Sequence, residues 1–333
     1  MKVCIVGAGA IGGLLGTRLA ASGLAEVTAL ARGATLAALR EHGWRTRHAG
    51  ELRSAPARAE DRADKLGPQD LVIIAVKGPA LAQVAADIAP LVGPDTAVLP
   101  AMNGVPWWFC HGLPGLGDAP LESVDPGGRI SARIGYGHVV GCVVHISAST
   151  PEPGLVEHKM GLGLIIGEPI GGDSERVARL AALLSGAGFD VTASPNVRRE
   201  IWYKLWGNLT MNPVSALTGA TMDRILADPL VRRFCSAAME EAALVGRRIG
   251  CLVEQQPEDR HAITATLGAF RSSMLQDVDA GRPIELDAIV GAVQEIGQRL
   301  GIATPNIDAL FGLTRLFGRV HGLYPEPAPQ APG

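Results

Sequence analysis

The chain has 333 residues, of which 47% are hydrophobic and 19% charged, with a formal net charge of -3. That length suits about two domains with real cores, and that charge balance gives no electrostatic reason to bind nucleic acid or an anionic membrane. Cys4, Cys110, Cys142, Cys235 and Cys251 are scattered, without metal-ligand or redox-pair spacing, and read as reduced thiols of a cytoplasmic protein. Lys2 and the apolar stretch after it look superficially like a secretory signal. Gly7, Gly9, Gly12, Gly13 and Gly16 interrupt that stretch and Arg18 sits near its end, which argues against one. No run approaches the ~20 uninterrupted apolar residues that would span a bilayer.

Residues 2–6 are a short β-branched run ending in glycine and predict a buried strand. Residues 11–22 predict a helix, and 26–31, 70–76 and 96–99 predict further strands. Strands alternating with helical stretches imply a parallel sheet covered on both faces. Residues 112–130 are rich in Gly and Pro and read as a long loop. Strand-like runs return at 139–146 and 162–167, and 174–188 read as a helix. From about 197 to 320 the pattern is mostly helical, with breaks expected at Pro213, Pro229, Pro257, Pro283 and Pro305. The expected division is therefore an α/β domain over 1–194, a helical domain over 195–322, and a Pro-rich disordered tail over 323–333.

Gly7-Ala8-Gly9-Ala10-Ile11-Gly12 matches G-x-G-x-x-G, with a strand before it and a helix after it. In that context the first glycine permits the tight turn and the second lets backbone approach a pyrophosphate. The third lets helix and strand pack closely, with the helix N-terminus facing the phosphates. The second strand runs into Ala29-Leu30-Ala31-Arg32-Gly33, without the carboxylate that would bind an NAD ribose. Arg32 offers a fork of donors suited to a 2′-phosphate, which favours NADP(H). A plain surface arginine would look the same, because only five of the 30 basic residues are lysines.

One of those lysines is Lys204, in Glu200-Ile-Trp-Tyr-Lys204-Leu-Trp-Gly-Asn208-Leu-Thr-Met-Asn212-Pro213. On a helix, Lys204, Asn208 and Asn212 project from nearly one face. A mostly apolar helix presents one cation and two amides together when they have polar work to do. Reducing a carbonyl leaves a developing alkoxide, and an ammonium can stabilise and protonate it. A snorkelling lysine beside two incidental asparagines remains the alternative. No His pair has metal spacing and no nucleophile elbow is present, so no metal is expected. His111 and His145 read as structural histidines. Apolar residues at helical spacing after 230 read as core or as a subunit interface, which leaves a homodimer open.

Taken together, several segments resemble the ketopantoate reductase family. They are the glycine turn, Ala31-Arg32-Gly33, Val76-Lys77, Met102-Asn103-Gly104-Val105-Pro106 and the Lys204/Asn208/Asn212 helix. The last two are Ser272-Ser273-Met274-Leu275-Gln276-Asp277 and Gly281-Arg282-Pro283-Ile284-Glu285-Leu286-Asp287. The similarity runs from residue 1 to about 318. It implies an N-terminal Rossmann domain and an all-helical C-terminal domain of the 6-phosphogluconate dehydrogenase C-terminal type, with the active site between them. It implies Lys204 as general acid, and Glu285 as the group that positions the substrate hydroxyl and the lysine. Asn103, Asn208, Asn212 and Ser273 would bind substrate. Gly7, Ala8, Gly9, Ala10, Ile11, Gly12, Arg32, Lys77 and Asn103 would line the NADPH site.

The implied reaction reduces a 2-keto acid to a 2-hydroxy acid, with 2-dehydropantoate to (R)-pantoate, in pantothenate biosynthesis, as the leading case. From its surroundings alone, Glu285 also reads as a helix-start carboxylate. Met222 and Phe270 align where the family often has asparagines, and Trp107-Trp108 with the 112–130 loop suggest a side branch, so chemistry should carry over better than substrate. A related β-hydroxyacid or imine-type dehydrogenase, or a non-catalytic NADPH-binding regulator, would share the plan. The presence of both Lys204 and Glu285 argues against the regulator.

Overall fold

A computed structural model describes residues 1–117 and 119–326. Two compact units emerge, Met1–His111 with Asp125–Ile201, and Gly112–Val124 with Trp202–Gly333.

The first unit begins β1 (Lys2–Val6), α1 (Ala10–Ser22), β2 (Glu26–Leu30), α2 (Gly33–His42), β3 (Trp44–His48), β4 (Glu51–Ala55) and β5 (Arg58–Glu60). It continues β6 (Gln69–Ile74), α3 (Leu81–Asp87), β7 (Val92–Pro100), β8 (Gly141–Glu152), β9 (Leu155–Gly167), α4 (Glu175–Gly186) and β10 (Asp190–Ala193). Strands β5-β2-β1-β6-β7 form one sheet in that order, and every pairing in it is parallel. Val3, Ile5, Leu71 and Ile73 in its middle strands are fully buried, as a parallel sheet covered on both sides requires.

The second sheet is not expected from the sequence. It runs β10-β9-β3-β4, with β8 antiparallel to β9. The strand-like runs at 139–146 and 162–167 thus belong to one long hairpin, which a parallel bridge between Val139 and Val98 joins to β7. Helix α1 packs against this hairpin and β3 as well as against β1 and β2. Gly16 makes that approach close, because a Cβ there would lie 2.3 Å from the Trp44 ring.

The second unit holds α5 (Val197–Thr218, whose first turn lies in the first unit), α6 (Met222–Ala227), α7 (Pro229–Arg248), α8 (Pro257–Ala265), α9 (Ser273–Asp279), α10 (Ala292–Arg299) and α11 (Pro305–Val320). Three expected breaks are real starts: Pro229, Pro257 and Pro305 each open a helix, where a missing N–H costs nothing. The break expected at Pro213 does not occur, and α5 continues through it to Thr218. Residues 209–216 are all buried, so packing around the helix offsets the lost backbone bond.

The long loop also departs from expectation, since Gly112–Val124 belongs with the helices and not with the α/β unit. The N–H groups of Glu122 and Ser123 donate to the Glu295 carboxylate at 2.9 and 2.8 Å. Arg299 donates to the carbonyls of Ala119 and Pro120. Burial would raise the Glu295 pKa, but Ser123, the two N–H groups and Arg299 outweigh it and hold the carboxyl below its usual range. The tail expected from 323 is packed at its start, because Leu323 is buried and its carbonyl accepts from Ile284 N–H at 3.0 Å. Residues 327–333 of that tail, and Asp118 of the loop, lie outside the described residues.

Candidate active site

In the α/β unit the glycine turn lies at the carboxyl end of β1. Gly7 takes φ +90°, and a Cβ there would strike Val76 Cγ1 at 2.6 Å. Gly12 faces back onto the turn, where a Cβ would lie 2.0 Å from the Gly7 carbonyl oxygen. Gly9 differs, since a Cβ there would meet nothing within 4 Å. The same residue is the N-cap of α1, with no side-chain cap and no acidic residue in the first turn. The first turn of α1 thus offers backbone N–H donors with no acidic side chain among its own residues, beside open space at Gly9, which fits a dinucleotide pyrophosphate.

Lys77 follows β6, and Asn103 follows β7 just before Gly104 at φ +82°. Both are half-buried and lie beyond the carboxyl ends of parallel strands, the edge where such sheets bind ligands. Arg32 follows β2 as the N-cap of α2. Its side chain is 67% exposed and ion-paired with Asp87, whose other oxygen accepts from Gln83 at 2.9 Å.

In the helical unit α5 is fixed in rotation by its tryptophans. The indole N–H groups of Trp202 and Trp206 donate to the carbonyls of Ala242 (3.2 Å) and Met239 (2.7 Å) on α7. A third of a turn away, Gly207 leaves room for Arg260, which stacks 5.1 Å from the Tyr203 ring centroid. Lys204, Asn208 and Asn212 occupy the remaining face. Lys204 and Asn208 are half-buried and Asn212 is buried.

Asn212 Nδ2 donates to Ser273 Oγ at 3.4 Å, at the start of α9. Beneath that contact Ser215 shares a short hydrogen bond with Ser272 and donates to the Asn212 carbonyl at 3.0 Å. Ser272 in turn caps α9 through Leu275 N–H at 3.0 Å. Sequence reasoning missed this serine pair, although a serine doublet opening a helix and a Ser three residues past Asn212 were its signal.

Glu285 is half-buried in a non-helical stretch just ahead of a π turn, Asp287–Gly291. The arginine beside it in sequence goes elsewhere, Arg282 Nε lying 3.2 Å from the buried Asp277 carboxylate. Asp287 is half-buried against Tyr324, and its desolvation raises the carboxyl above the usual range. Met222 and Phe270 pack in the core of the helical unit with Met211, Val214, Ile225 and Leu310, and Met222 N–H donates to the Phe270 carbonyl at 3.1 Å. Among the described residues no group of His, Cys, Asp and Glu could hold a metal ion, and no helix is long and apolar enough to cross a membrane.

A parallel sheet with an open glycine turn, joined in one chain to a helical unit that presents a lysine among amides, defines a nicotinamide-dependent oxidoreductase. Two family descriptions match, "Ketopantoate reductase PanE/ApbA" over residues 3–170 and "Ketopantoate reductase PanE/ApbA C terminal" over residues 196–317. The chain belongs to the ketopantoate reductase family, whose cofactor is NADPH. It is 43% identical over 325 residues to the 2-dehydropantoate 2-reductase of Mesorhizobium japonicum, covering 97% of this chain and 100% of that one. A solved candidate ketopantoate reductase from Ralstonia solanacearum MolK2 superposes with a TM-score of 0.93 at 54% identity, covering 97% of this chain and 99% of that one. The 2-dehydropantoate 2-reductase of Geobacter metallireducens GS-15 superposes with a TM-score of 0.83 at 27% identity, covering 95% and 100%.

Proposed function

We propose that this protein reduces 2-dehydropantoate to (R)-pantoate, a step of pantothenate biosynthesis. The observation that carries the reading is the α5 face, where Lys204 lies between the tryptophan-locked side of the helix and the amides of Asn208 and Asn212. When bound, NADPH supplies the hydride that the keto carbon accepts. Lys204 holds the proton at Nζ and passes it to the carbonyl oxygen as negative charge develops there. Glu285 accepts a hydrogen bond from the substrate hydroxyl or from the lysine, fixing both. Asn208, Asn212 and Ser273 bind the polar groups of the substrate without adding charge, and Asn103 holds the carbonyl end.

The glycine turn, from Gly7 through Ala8, Gly9, Ala10 and Ile11 to Gly12, takes the pyrophosphate, and Lys77 lines the same site. Arg32 takes the 2′-phosphate, for which it must leave Asp87. The five cysteines are all buried thiols outside disulfides, which supports a cytoplasmic location. Leu313, Leu316 and Val320 on α11 are exposed apolar residues, which supports a homodimer.

The test follows NADPH and NADH absorbance with purified protein over a panel of 2-keto acids. Rapid turnover of 2-dehydropantoate with NADPH, and slow turnover with NADH, is the expected result. Turnover confined to other keto acids would overturn the substrate while leaving the chemistry. Binding of NADPH with no turnover of any keto acid would overturn the enzyme reading in favour of a regulator.

A further inference from the structure

Helix α8 holds a cation that no acid among the described residues neutralises. Arg260 is half-buried, and the two acids beside it in sequence are engaged elsewhere. Glu258 pairs with Arg232, and Asp259 accepts from Gln256 N–H at 2.9 Å. The Arg260 guanidinium lies on α5, 5.1 Å from the centroid of the Tyr203 ring. One turn further along α5, a Cβ at Gly207 would lie 2.5 Å from its Nε and 2.9 Å from its Nη2, so the missing side chain makes the seat. Tyr203 is held in turn, its hydroxyl donating to Gln255 Oε1 at 2.8 Å. Nε is buried in that seat without a hydrogen-bond partner. The two Nη groups make no hydrogen bond among the described residues. A guanidinium held in this way keeps a planar fork of donors ready for a carboxylate.

Gly207 is three residues past Lys204 and one before Asn208. Positions three apart on a helix are neighbours, about 5–6 Å between Cβ atoms, so Arg260 borders the face that carries Lys204. The substrate proposed above is a 2-keto acid, and Lys204 is committed to its keto oxygen. Asn208, Asn212 and Ser273 are neutral, and Glu285 acts as an acceptor. None of them meets the full negative charge of the acid, which needs a charge-assisted partner as it leaves water. We infer that Arg260 grips the substrate carboxylate through its Nη groups. The inference rests on the keto-acid reading and names the residue that selects acids over neutral ketones.

The test uses the full chain with Arg260→Gln, Arg260→Lys and Gly207→Ala. Arg260→Gln should raise the KM for the keto acid by roughly 10- to 100-fold. Its kcat should change little, because the contact is made alike in ground and transition states. Arg260→Lys should recover part of the loss. Gly207→Ala keeps the charge but pushes it off its seat, and should raise KM in the same direction. The deciding readout is the carboxamide of the same acid, which wild type should use far less well than the acid and Arg260→Gln nearly as well. Calorimetric titration of 2-dehydropantoate into protein loaded with NADP+, which has no hydride to give, reads the same contact without turnover. An unchanged KM in Arg260→Gln, or a loss shared equally by acid and amide, overturns the inference and leaves Arg260 as a support of α5. Should Arg260→Gln fail to fold, an acid-over-amide preference untouched in the other two variants overturns it. Turnover of other keto acids alone removes the substrate named above, and the same comparison on those acids still decides Arg260. If no keto acid binds or reacts, both readings fall.

Discussion

The hydroxyl of Tyr324 donates to Oδ1 of Asp287 at 2.6 Å. One residue earlier, the Leu323 carbonyl accepts from Ile284 N–H at 3.0 Å. Two residues beyond the last helix thus bracket the segment that carries Glu285. Packing reinforces the clasp, since a Cβ at Gly318 would lie 2.7 Å from that of Tyr324. Burial pushes the Asp287 carboxyl up, against the opposing pull of the Tyr324 hydrogen bond and of Arg315 and Arg319. It also pushes the Tyr324 hydroxyl up, with Asp287 adding to the effect.

That carboxyl makes stability depend on pH with a definite sign. A group whose pKa is higher in the folded chain than its ordinary 3.8 holds its proton more tightly when folded. Its contribution is full below that ordinary value and is lost as pH rises through the folded value. Asp287→Asn keeps an oxygen to accept the Tyr324 hydroxyl and cannot ionise. The variant should melt above wild type near pH 7 and lose the advantage near pH 4. Thermal melts at the two pH values check this, and a difference that does not change with pH would refute the assignment to Asp287.

The glycine turn makes a prediction in two halves. Gly12→Ala must push a Cβ out of contact with the Gly7 carbonyl oxygen, 2.0 Å away, which should cost about 1–3 kcal/mol of stability and impair cofactor binding. Gly9→Ala meets no protein atom, so its stability should stay within about 0.5 kcal/mol of wild type. Its NADPH affinity should fall all the same, because the new methyl occupies the space assigned to the pyrophosphate. Urea unfolding and NADPH fluorescence titration on both variants separate the halves. Equal affinity in Gly9→Ala and wild type would place the pyrophosphate elsewhere.

How much of this was legible in the sequence depends on how local its cause is. Strand β1, the glycine turn and α1 are set by neighbours in the chain, and they stand where periodicity and glycine spacing put them. Sheet β10-β9-β3-β4 is set by partners far apart in sequence. Trp44-Arg45-Thr46-Arg47-His48 does alternate, with Trp44 and Thr46 buried, but five residues of alternation are a thin signal. Pro213 misled for a similar reason, because its local preference to break a helix yields to tertiary packing. In the helical unit, the shared face of Lys204, Asn208 and Asn212 was legible from helical spacing alone. The clasp of Tyr324 on Asp287 was not, since it joins positions 37 apart through a side chain in a stretch that composition marks as tail.

Arg32 should control the choice between the two nicotinamide cofactors. Its exposed guanidinium is paired with Asp87, a surface pair that costs little to open, so a 2′-phosphate can take over the same donors. Arg32→Gln should raise the KM for NADPH by roughly 10- to 100-fold, as expected for a lost charge-assisted contact. The KM for NADH should stay nearly unchanged. Steady-state kinetics with each cofactor distinguish this from general damage to the turn, which would weaken both alike.

Lys204 should carry the proton and little else. Trp202 and Trp206 hold α5 against α7 through their indole N–H groups, so the helix keeps its place without the lysine. Lys204→Ala should therefore retain fold and NADPH affinity while kcat falls by roughly 10²–10⁴-fold, the usual range for a general acid. Single-turnover rates, cofactor titration and melting temperature together decide the matter. A wild-type kcat would remove Lys204 from the chemistry. A loss seen only in KM would make it a substrate anchor, because an interaction made equally in ground and transition states changes binding without changing turnover. Exogenous primary amines give a further check, since a small ammonium entering the space left by the side chain should restore part of the rate in Lys204→Ala and none in wild type.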